Sequence, residues 1–137
     1  MLRRESRMRA RALQLLYALE ITGDDTTTDG ATGIAKLTGA VRLVFDDAEP
    51  LVRKIRDHQD AIDKLAQAAA DNWRLDRIAT VERNILRIAI HELQAGAVPV
   101  RVVIDEALWL AHRFAGARAP GFINGVLDRV ARDLGRL

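Results

Sequence analysis

The chain has 137 residues, of which 49% are hydrophobic and 29% charged, with a formal net charge of +2. This length and hydrophobic content suffice for one buried core, so a single domain spanning residues 1–137 is the simplest expectation. The absence of cysteine excludes disulfides, thiolate metal sites and cysteine nucleophiles and fits a cytoplasmic protein. No apolar run approaches the ~20 residues of a membrane span, and we expect neither a signal peptide nor membrane association.

The chain begins with a basic segment that leads directly into an apolar one. Residues 3–11 contain five arginines and one glutamate, and apolar residues dominate from Ala12 to Ile21. At 3.6 residues per turn, four of the arginines share one face of a helix and the apolar side chains gather opposite them, with Arg9 toward the boundary. The four arginines are Arg3, Arg4, Arg7 and Arg11, and the apolar side chains are Met8, Ala12, Leu15, Leu16 and Leu19.

We call Arg3, Arg4, Arg7 and Arg11 the arginine stripe, and it is either a solvated helix end or an anion-binding surface. Residues 3–11 carry a net charge of +4, which leaves about −2 for the remainder, so the basicity is local. A focused patch steers an anionic partner. The stripe contains no lysine, and arginine suits bidentate phosphate contacts and stacking on bases. These features favour a nucleic-acid partner.

The segment after this helix is predicted to contain a loop and a short helix. Thr22–Gly33 is polar and contains glycine, which is typical of a loop. Apolar residues then recur at helical spacing over residues 34–45. Asp46 or Asp47 is a candidate N-cap for the next helix, which tolerates Pro50 in its first turn.

From Leu51 to about Asn72 the apolar pattern is helical and long enough for one bent helix or two short ones. The pattern does not decide between them. The positions that recur at helical spacing are Leu51, Ile55, His58, Ile62, Leu65 and Ala69. Trp73 then falls in a short connection, and Asp76 or Thr80 is available to cap the following helix.

The central helix is predicted from about Ala79 to Gln94, with a broad apolar arc that makes it the expected core. Gly96 ends this helix, and Pro99 opens the next one, which continues to Phe114. Residues 98–104 are rich in β-branched side chains and could instead form a strand. We favour a helix, because no second strand is available to pair with it.

A turn over Gly116–Pro120 precedes a last helix from about Gly121 to Asp133. Asn124 and Gly125 are unusual within such a helix, because both have poor helix propensity. Close packing of another helix against Gly125 is the favoured explanation. The sequence therefore predicts an all-α protein of six or seven helices.

Residues that could carry catalysis or bind a metal are sparse. His58, His91 and His112 are too far apart to form a local metal motif. Asp105 and Glu106 are adjacent, so their side chains point about 100° apart and cannot act as a carboxylate pair. Without a glycine-rich phosphate loop or a serine elbow, we expect no enzymatic activity, no cofactor and no metal.

Four blocks of the sequence resemble successive signatures of the NusB family of bacterial transcription antitermination factors. They are LQLLY (13–17), VERNILRIAIHEL (81–93), VPVRVVIDEALWLAHRF (98–114) and FINGVLDRVAR (122–132). The resemblance spans nearly the whole chain and implies an all-helical fold of two small packed helical bundles. It also implies a complex with NusE, a ribosomal protein of the small subunit, that binds the boxA element of ribosomal RNA leader transcripts in the RNA polymerase antitermination complex.

The same resemblance assigns roles to individual residues. Arg7 and Arg9 match the basic N-terminal motif of the family, and Tyr17 matches its tyrosine. Phe122 matches the aromatic residue beside the RNA. Glu82 matches the glutamate at the start of the central helix, which we assign to partner binding.

The segment before Phe122 departs from the family pattern. Relatives often carry an acidic residue and then a serine- and lysine-containing segment, where this chain reads Ala117–Gly121. One basic contact is thereby lost and another gained at Arg118, so the RNA sequence preference stays open. The expected RNA contacts are Arg3, Arg4, Arg7, Arg9, Arg11, Tyr17, Arg118 and Phe122.

Other functions also fit the sequence. A similar helical domain occurs in bacterial ribosomal RNA cytosine methyltransferases, but these need a downstream methyl-donor-binding domain, which we do not expect here. A protein-interaction module, in which the arginines meet an acidic partner, is the second alternative. A symmetric homodimer is also possible, with Glu82, Asp105 and Glu106 lying against the arginine stripe of a neighbouring molecule.

Overall fold

The computed structural model describes residues 3–22 and 46–137, and the regular structure in these ranges is entirely helical. The fold class predicted from the sequence, all-α, is confirmed. The described helices are α1 (Arg4–Ile21), α2 (Glu49–Asp57), α3 (Gln59–Ala70), α4 (Thr80–Ala95), α5 (Val100–Phe114) and α6 (Ala119–Asp133). A 3-10 turn, Leu75–Arg77, precedes α4. The short helix predicted over 34–45, and all but the first residue of the loop predicted before it, lie outside the described residues.

The chain divides into two compact units, Met1–Gln59 and Asp60–Leu137. Of the described helices, α1 and α2 belong to the first unit. The second unit contains α4, α5, α6 and all of α3 except its first residue. The division agrees with the two small helical bundles that the resemblance implied.

In the first unit, α1 is anchored by its apolar face. The buried apolar residues of this helix are Ala12, Leu13, Leu15, Leu16 and Leu19. α1 packs against α2, whose Val52 and Ile55 are fully buried. Each fully buried side chain of this size stabilises the fold by about 1.5–3 kcal/mol. Met8, predicted on the same face, is half-buried.

The helical pattern from Leu51 onward forms two helices, α2 and α3, rather than one. The break is at His58, whose backbone has φ −116° and ψ 17° and whose ring Nδ1 lies 2.9 Å from the carbonyl oxygen of Lys54. His58, which belongs to the periodic pattern in the sequence, is exposed at the break. Periodicity alone does not show where a long helical pattern is interrupted.

The predicted side-chain caps are also wrong. α2 begins after Ala48 and α4 after Ala79, and neither residue makes a side-chain capping hydrogen bond. Thr80 is the first residue of α4 rather than its cap, and its carbonyl accepts a hydrogen bond from Asn84. Asp47 pairs with Arg11.

In the second unit, α4, α5 and α6 all contact one another, and α4 is the central element because it is the most buried of the three. Every residue from 84 to 90 is buried, so α4 is enclosed as its broad apolar arc predicted. Gly96, with φ 74°, ends α4 in the left-handed conformation that glycine adopts readily. α5 is helical from Val100, so the prediction of a helix rather than a strand in this segment is confirmed. α6 begins two residues earlier than predicted, with Pro120 in its first turn.

A polar network ties α3 to α4. The guanidinium of Arg87 donates two hydrogen bonds to the carboxylate of Asp63, from Nε at 2.9 Å and from Nη2 at 3.0 Å. Its Nη1 donates to Asn84 Oδ1 at 3.0 Å. The side chain of Arg87 is only 9% exposed, so these bonds form where little water competes. The network therefore fixes α3, and with it the start of the connection that carries Trp73.

Candidate nucleic-acid interface

α1 presents most of the arginine stripe to solvent. Arg3, Arg4 and Arg7 are exposed, whereas Leu13, Leu15, Leu16 and Leu19 of the same helix are buried. Arg11 is half-buried, and its Nη1 donates to Asp47 Oδ2 at 2.7 Å. Both side chains of this pair remain 34% exposed. The stripe is therefore a row of guanidinium groups mounted on an anchored helix.

Arg9 is placed differently from Arg7, although both match the same basic motif. Arg9 is 6% exposed and is engaged with other groups of the protein. Ser6, on the same side of the helix, is buried as well. A guanidinium in this position reaches an RNA phosphate only by leaving its surroundings.

Tyr17 extends the exposed face of α1 beyond the arginines. Its side chain is 41% exposed. Gln14, one turn earlier, and Ile21, one turn later, are exposed too. Since residues three or four apart share one side of a helix, the ring continues the face that begins at Arg7. It offers an aromatic surface next to the basic one.

In the second unit, Phe122 pairs with a residue that the sequence analysis left as part of a connection. Phe122 is half-buried in the first turn of α6, and its ring centroid lies 5.8 Å from that of Trp73. The ring planes meet at 72°, an edge-to-face arrangement that aromatic pairs favour. Trp73 is 62% exposed. The sequence analysis did not select Trp73; the signal that could have identified it is a tryptophan in a short polar connection.

The backbone around Trp73 is held by its neighbours. The amide of Gln67 donates to the Trp73 carbonyl at 2.7 Å and accepts from the Leu75 backbone N–H at 2.8 Å. Arg83 Nη1 donates to the carbonyl of Ile78 at 3.0 Å. Asp71 turns the chain after α3 with a positive φ of 47°. The exposed indole therefore stands on a braced connection.

The two rings border an open pocket of about 330 Å³. The other residues that line it are Ala69, Ala70, Asp71, Asn72, Gly121, Gly125 and Val126. Apart from the adjacent residues and the backbone of its own helix, no heavy atom of the described residues lies within 4 Å of the position that a Cβ at Gly125 would occupy. The predicted reason for this glycine, close packing of another helix, is therefore wrong. The space beside Gly125 is open.

Arg118 and Glu82 lie at the starts of two helices of the second unit. Arg118 is exposed at the N-cap of α6, whose first turn contains no acidic residue. The partial positive charge of the helix start therefore adds to that of the guanidinium. Glu82 is half-buried in the first turn of α4.

The acidic residues expected at a homodimer contact are not equally accessible. Asp105 is exposed and pairs with Arg101 at 3.3 Å, whereas Glu106 is only 8% exposed. The two carboxylates point apart, as their adjacency predicted. Glu106 is not available to a neighbouring molecule in this structure, so that part of the expectation is wrong.

A second groove, of about 410 Å³, runs along α5 and α6 and has paired charges at its edge. Its lining residues are Val100, Arg101, Ile104, Asp105, Leu108, Asn124, Asp128 and Leu137.

One of the charges beside this groove is stabilised by its partner. Arg132 donates a hydrogen bond of 2.9 Å to Asp128, which raises the pKa of the Arg132 guanidinium above its usual value. Within residues 3–22 and 46–137, no cluster of potential metal ligands is present and no helix is both long and apolar enough to cross a bilayer.

Comparison with known proteins decides the family. Residues 6–132 match the model of the NusB family. The chain belongs to the NusB family. The NusB resemblance carried by the four sequence blocks is thereby confirmed.

NusB relatives and a solved NusB structure align over almost the whole chain. The transcription antitermination protein NusB of Anaeromyxobacter dehalogenans is 41% identical over 131 residues, which are 96% of this chain and 92% of that protein. The NusB protein of Bacillus subtilis is 37% identical over 127 residues, covering 92% and 93% of the two chains. The structure of NusB from T. maritima has a TM-score of 0.80 at 30% identity and covers 97% of this chain and 94% of that one.

Proposed function

We propose that this NusB-family protein is a transcription antitermination factor that binds single-stranded RNA of the boxA type through the arginine stripe. The single observation that carries the proposal is the exposure of Arg3, Arg4 and Arg7 on an anchored helix. Family membership supports it, because the relatives are named as transcription antitermination proteins. Such a factor acts without catalysis, where RNA is transcribed in the bacterial cytoplasm.

In the first unit, the binding energy comes from phosphate contacts. Each guanidinium that neutralises a phosphate releases condensed counterions, which favours association at low salt. Because α1 is fixed by its buried leucines, the arginines lose little backbone entropy on binding. Tyr17 adds a ring on which an unpaired base can stack. Arg9 contributes a contact only if its side chain rearranges, so we expect its main effect to be on the position of α1.

In the second unit, Phe122 and Arg118 are the proposed RNA contacts. Phe122 offers a stacking surface, and Arg118 offers charge at the start of the same helix. Phosphate contacts position an RNA without reading its sequence, whereas contacts to bases can specify it. We therefore expect Arg118 to affect affinity and Phe122 to affect affinity and specificity.

We also propose NusE as the protein partner, with Glu82 at the contact and RNA polymerase in the wider complex.

A homodimer that covers the arginine stripe would compete with RNA by mass action. Sedimentation with and without RNA tests this point. RNA should dissociate such a dimer; a dimer that persists unchanged while RNA binds stoichiometrically uses another surface.

A binding titration with a charge-matched control tests the function. The stripe variant replaces Arg3, Arg4 and Arg7 with alanine. Its control variant replaces three arginines that make exposed i,i+4 ion pairs elsewhere: Arg53, Arg101 and Arg132. Both variants lose three positive charges, so a general effect of net charge is the same in each. Fluorescence anisotropy with a labelled boxA oligonucleotide should show at least a tenfold loss for the stripe variant and a much smaller one for the control.

The same titration separates RNA from an acidic protein partner. Polyglutamate, at matched charge concentration, presents carboxylates in place of phosphates and bases. We expect RNA to bind much more tightly, because guanidinium groups form bidentate contacts with phosphates and aromatic rings stack on bases. Equal competition by polyglutamate would support the protein-interaction module instead.

A further inference from the structure

Trp73 is an exposed aromatic side chain on a fixed backbone. With 62% of its surface accessible, the indole leaves most of its apolar area in water. Gln67 donates a hydrogen bond to the carbonyl of Trp73 and accepts one from the backbone N–H of Leu75, and these two bonds hold the connection that presents the indole. A rigid, exposed ring of this kind binds a partner at low entropic cost, since its position is set before binding.

Beside the rings, α6 carries two glycines that packing within the protein does not explain. Gly121 and Gly125 are one turn apart, and both line the pocket. Within residues 3–22 and 46–137, no heavy atom lies within 4 Å of a Cβ at either position, apart from the adjacent residues and the backbone of α6 itself. Glycine inside a helix is about 1 kcal/mol less favourable than alanine. Because no neighbouring element fills the space, the glycines leave room for something outside the described protein.

The size and walls of the pocket suit a flat aromatic group. Its volume of about 330 Å³ is at the lower end of small-molecule sites, which span about 300–1,000 Å³. Trp73 and Phe122 meet nearly at right angles, so a planar ligand can stack on one ring and meet the edge of the other. Ala69, Ala70 and the two glycines keep the remaining wall low.

The polar groups around the pocket favour a nucleotide over an apolar side chain. Asn72 and Asp71 line it with an amide and a carboxylate, which can pair with the hydrogen-bonding edge of a base. The Asp71 carboxylate lies 3.7 Å from the guanidinium of Arg129. Phe122 and Gly121 are in the first turn of α6, next to Arg118 and a helix start without acidic residues. A phosphate attached to the bound base would meet positive charge there.

We infer that the pocket formed by Trp73, Phe122 and Gly125 receives one unpaired base of the bound RNA. Trp73 is then a second base-binding ring beside Phe122, and the space beside Gly125 is where the base sits. The phosphate of the same nucleotide lies toward Arg118. This inference rests on the proposed RNA-binding function and adds to it the position and the walls of a base pocket.

Filling the pocket without disturbing the fold is the most direct test. Gly125→Leu places a side chain in open space and replaces a poor helix former with a good one, so the melting temperature should stay equal or rise. The matched control is Asn124→Leu, which adds the same side chain on the neighbouring position, where it borders the other groove. With the labelled boxA oligonucleotide, Gly125→Leu should weaken binding at least tenfold and Asn124→Leu less than twofold.

Two further measurements identify the base and the ring. The protein has two tryptophans, so Trp109→Phe leaves Trp73 as the sole tryptophan, and its emission should be quenched as RNA saturates the protein. Trp73→Ala should weaken binding about fivefold to a hundredfold, as loss of one base stack does. In an abasic scan of the oligonucleotide, one position should weaken binding to the wild-type protein and have little effect on Gly125→Leu.

The outcomes separate the pocket from the function on which it rests. If Gly125→Leu and Trp73→Ala bind RNA like the wild type while the stripe variant does not, the pocket inference is wrong and the proposed function stands. Unchanged Trp73 emission at saturation would also overturn the pocket. If the wild-type protein does not bind the oligonucleotide, both proposals fail together.

Discussion

Arg11 and Asp47 form an ion pair of 2.7 Å, in which the last arginine of the stripe is bound to a carboxylate just before α2. Both side chains are 34% exposed, so the pair is accessible to solvent and to a ligand. An RNA phosphate that approaches the stripe competes with Asp47 for Arg11. The stripe therefore has three exposed arginines and a fourth whose charge is partly neutralised within the protein.

Removing the competing carboxylate should strengthen RNA binding. Asp47→Asn frees the guanidinium of Arg11, and since an exposed ion pair contributes about 0.2–1 kcal/mol, affinity should rise by up to about fivefold at low salt. The control is Asp128→Asn, which removes the same charge from a solvent-accessible pair with Arg132, away from both proposed RNA contacts. If the two variants gain equally in an anisotropy titration, the gain is one of net charge and Arg11 does not contact RNA.

Arg7 and Arg9 should respond differently to replacement by alanine. Arg7 is exposed, so Arg7→Ala should weaken RNA binding with little change in melting temperature. Arg9 is buried and engaged, so Arg9→Ala should lower the free energy of unfolding by about 1–3 kcal/mol, because it removes the interactions of a buried guanidinium. Thermal unfolding and RNA titration of the two variants check this. An Arg9→Ala protein with wild-type stability and impaired binding would show that Arg9 contacts the RNA directly.

Leu16 should anchor the helix that carries the stripe. Its side chain is 2% exposed, and Leu16→Ala should lower the free energy of unfolding by about 2–5 kcal/mol, as buried leucine truncations do. Gln14→Ala, at an exposed position of the same helix, is the control and should change stability little. Urea unfolding measures both. A small effect of Leu16→Ala would mean that α1 is not held by its apolar face.

The position of α1 and the exposure of Arg3, Arg4 and Arg7 were predictable because both follow from one periodicity. Apolar residues at helical spacing indicated the buried face of the helix, and these three arginines lie outside it. The end of α4 and the start of α5 were also predictable from single residues. Gly96 adopts the left-handed conformation that ends a helix, and Pro99 restricts the backbone where the next helix begins.

Features that depend on distant residues were not predictable in this way. The burial of Arg9 depends on which side chains surround it in the folded protein, and helical spacing gives only its direction. Trp73 and Phe122 come together only when the connection after α3 and the start of α6 are both in place. Gly125 illustrates the limit most clearly: the sequence shows that a side chain is missing, but not whether the protein fills the space or leaves it open.

The Arg87–Asp63 pair should be important for stability in the second unit. Asp63→Ala would leave the guanidinium of Arg87, now 9% exposed, without its bidentate partner. Because Asp63 is 25% exposed, the pair is only partly buried, and its loss should cost about 1.5–3 kcal/mol, as loss of a hydrogen bond to a charged group does. Asp60→Ala, at an exposed position one turn earlier on α3, is the control. Comparable unfolding free energies for the two variants would contradict the importance of the network.

The salt dependence of RNA binding tests the central claim, that the arginine stripe neutralises RNA phosphates. Each phosphate contact with single-stranded RNA contributes about −0.7 to the slope of log affinity against log salt concentration. Over about 50–200 mM salt, replacing Arg3, Arg4 and Arg7 with alanine should therefore flatten the slope by about 2. The charge-matched control at Arg53, Arg101 and Arg132 should leave the slope nearly unchanged. An equal slope for the stripe variant and the wild-type protein would contradict the account, because it would show that these arginines do not touch the RNA.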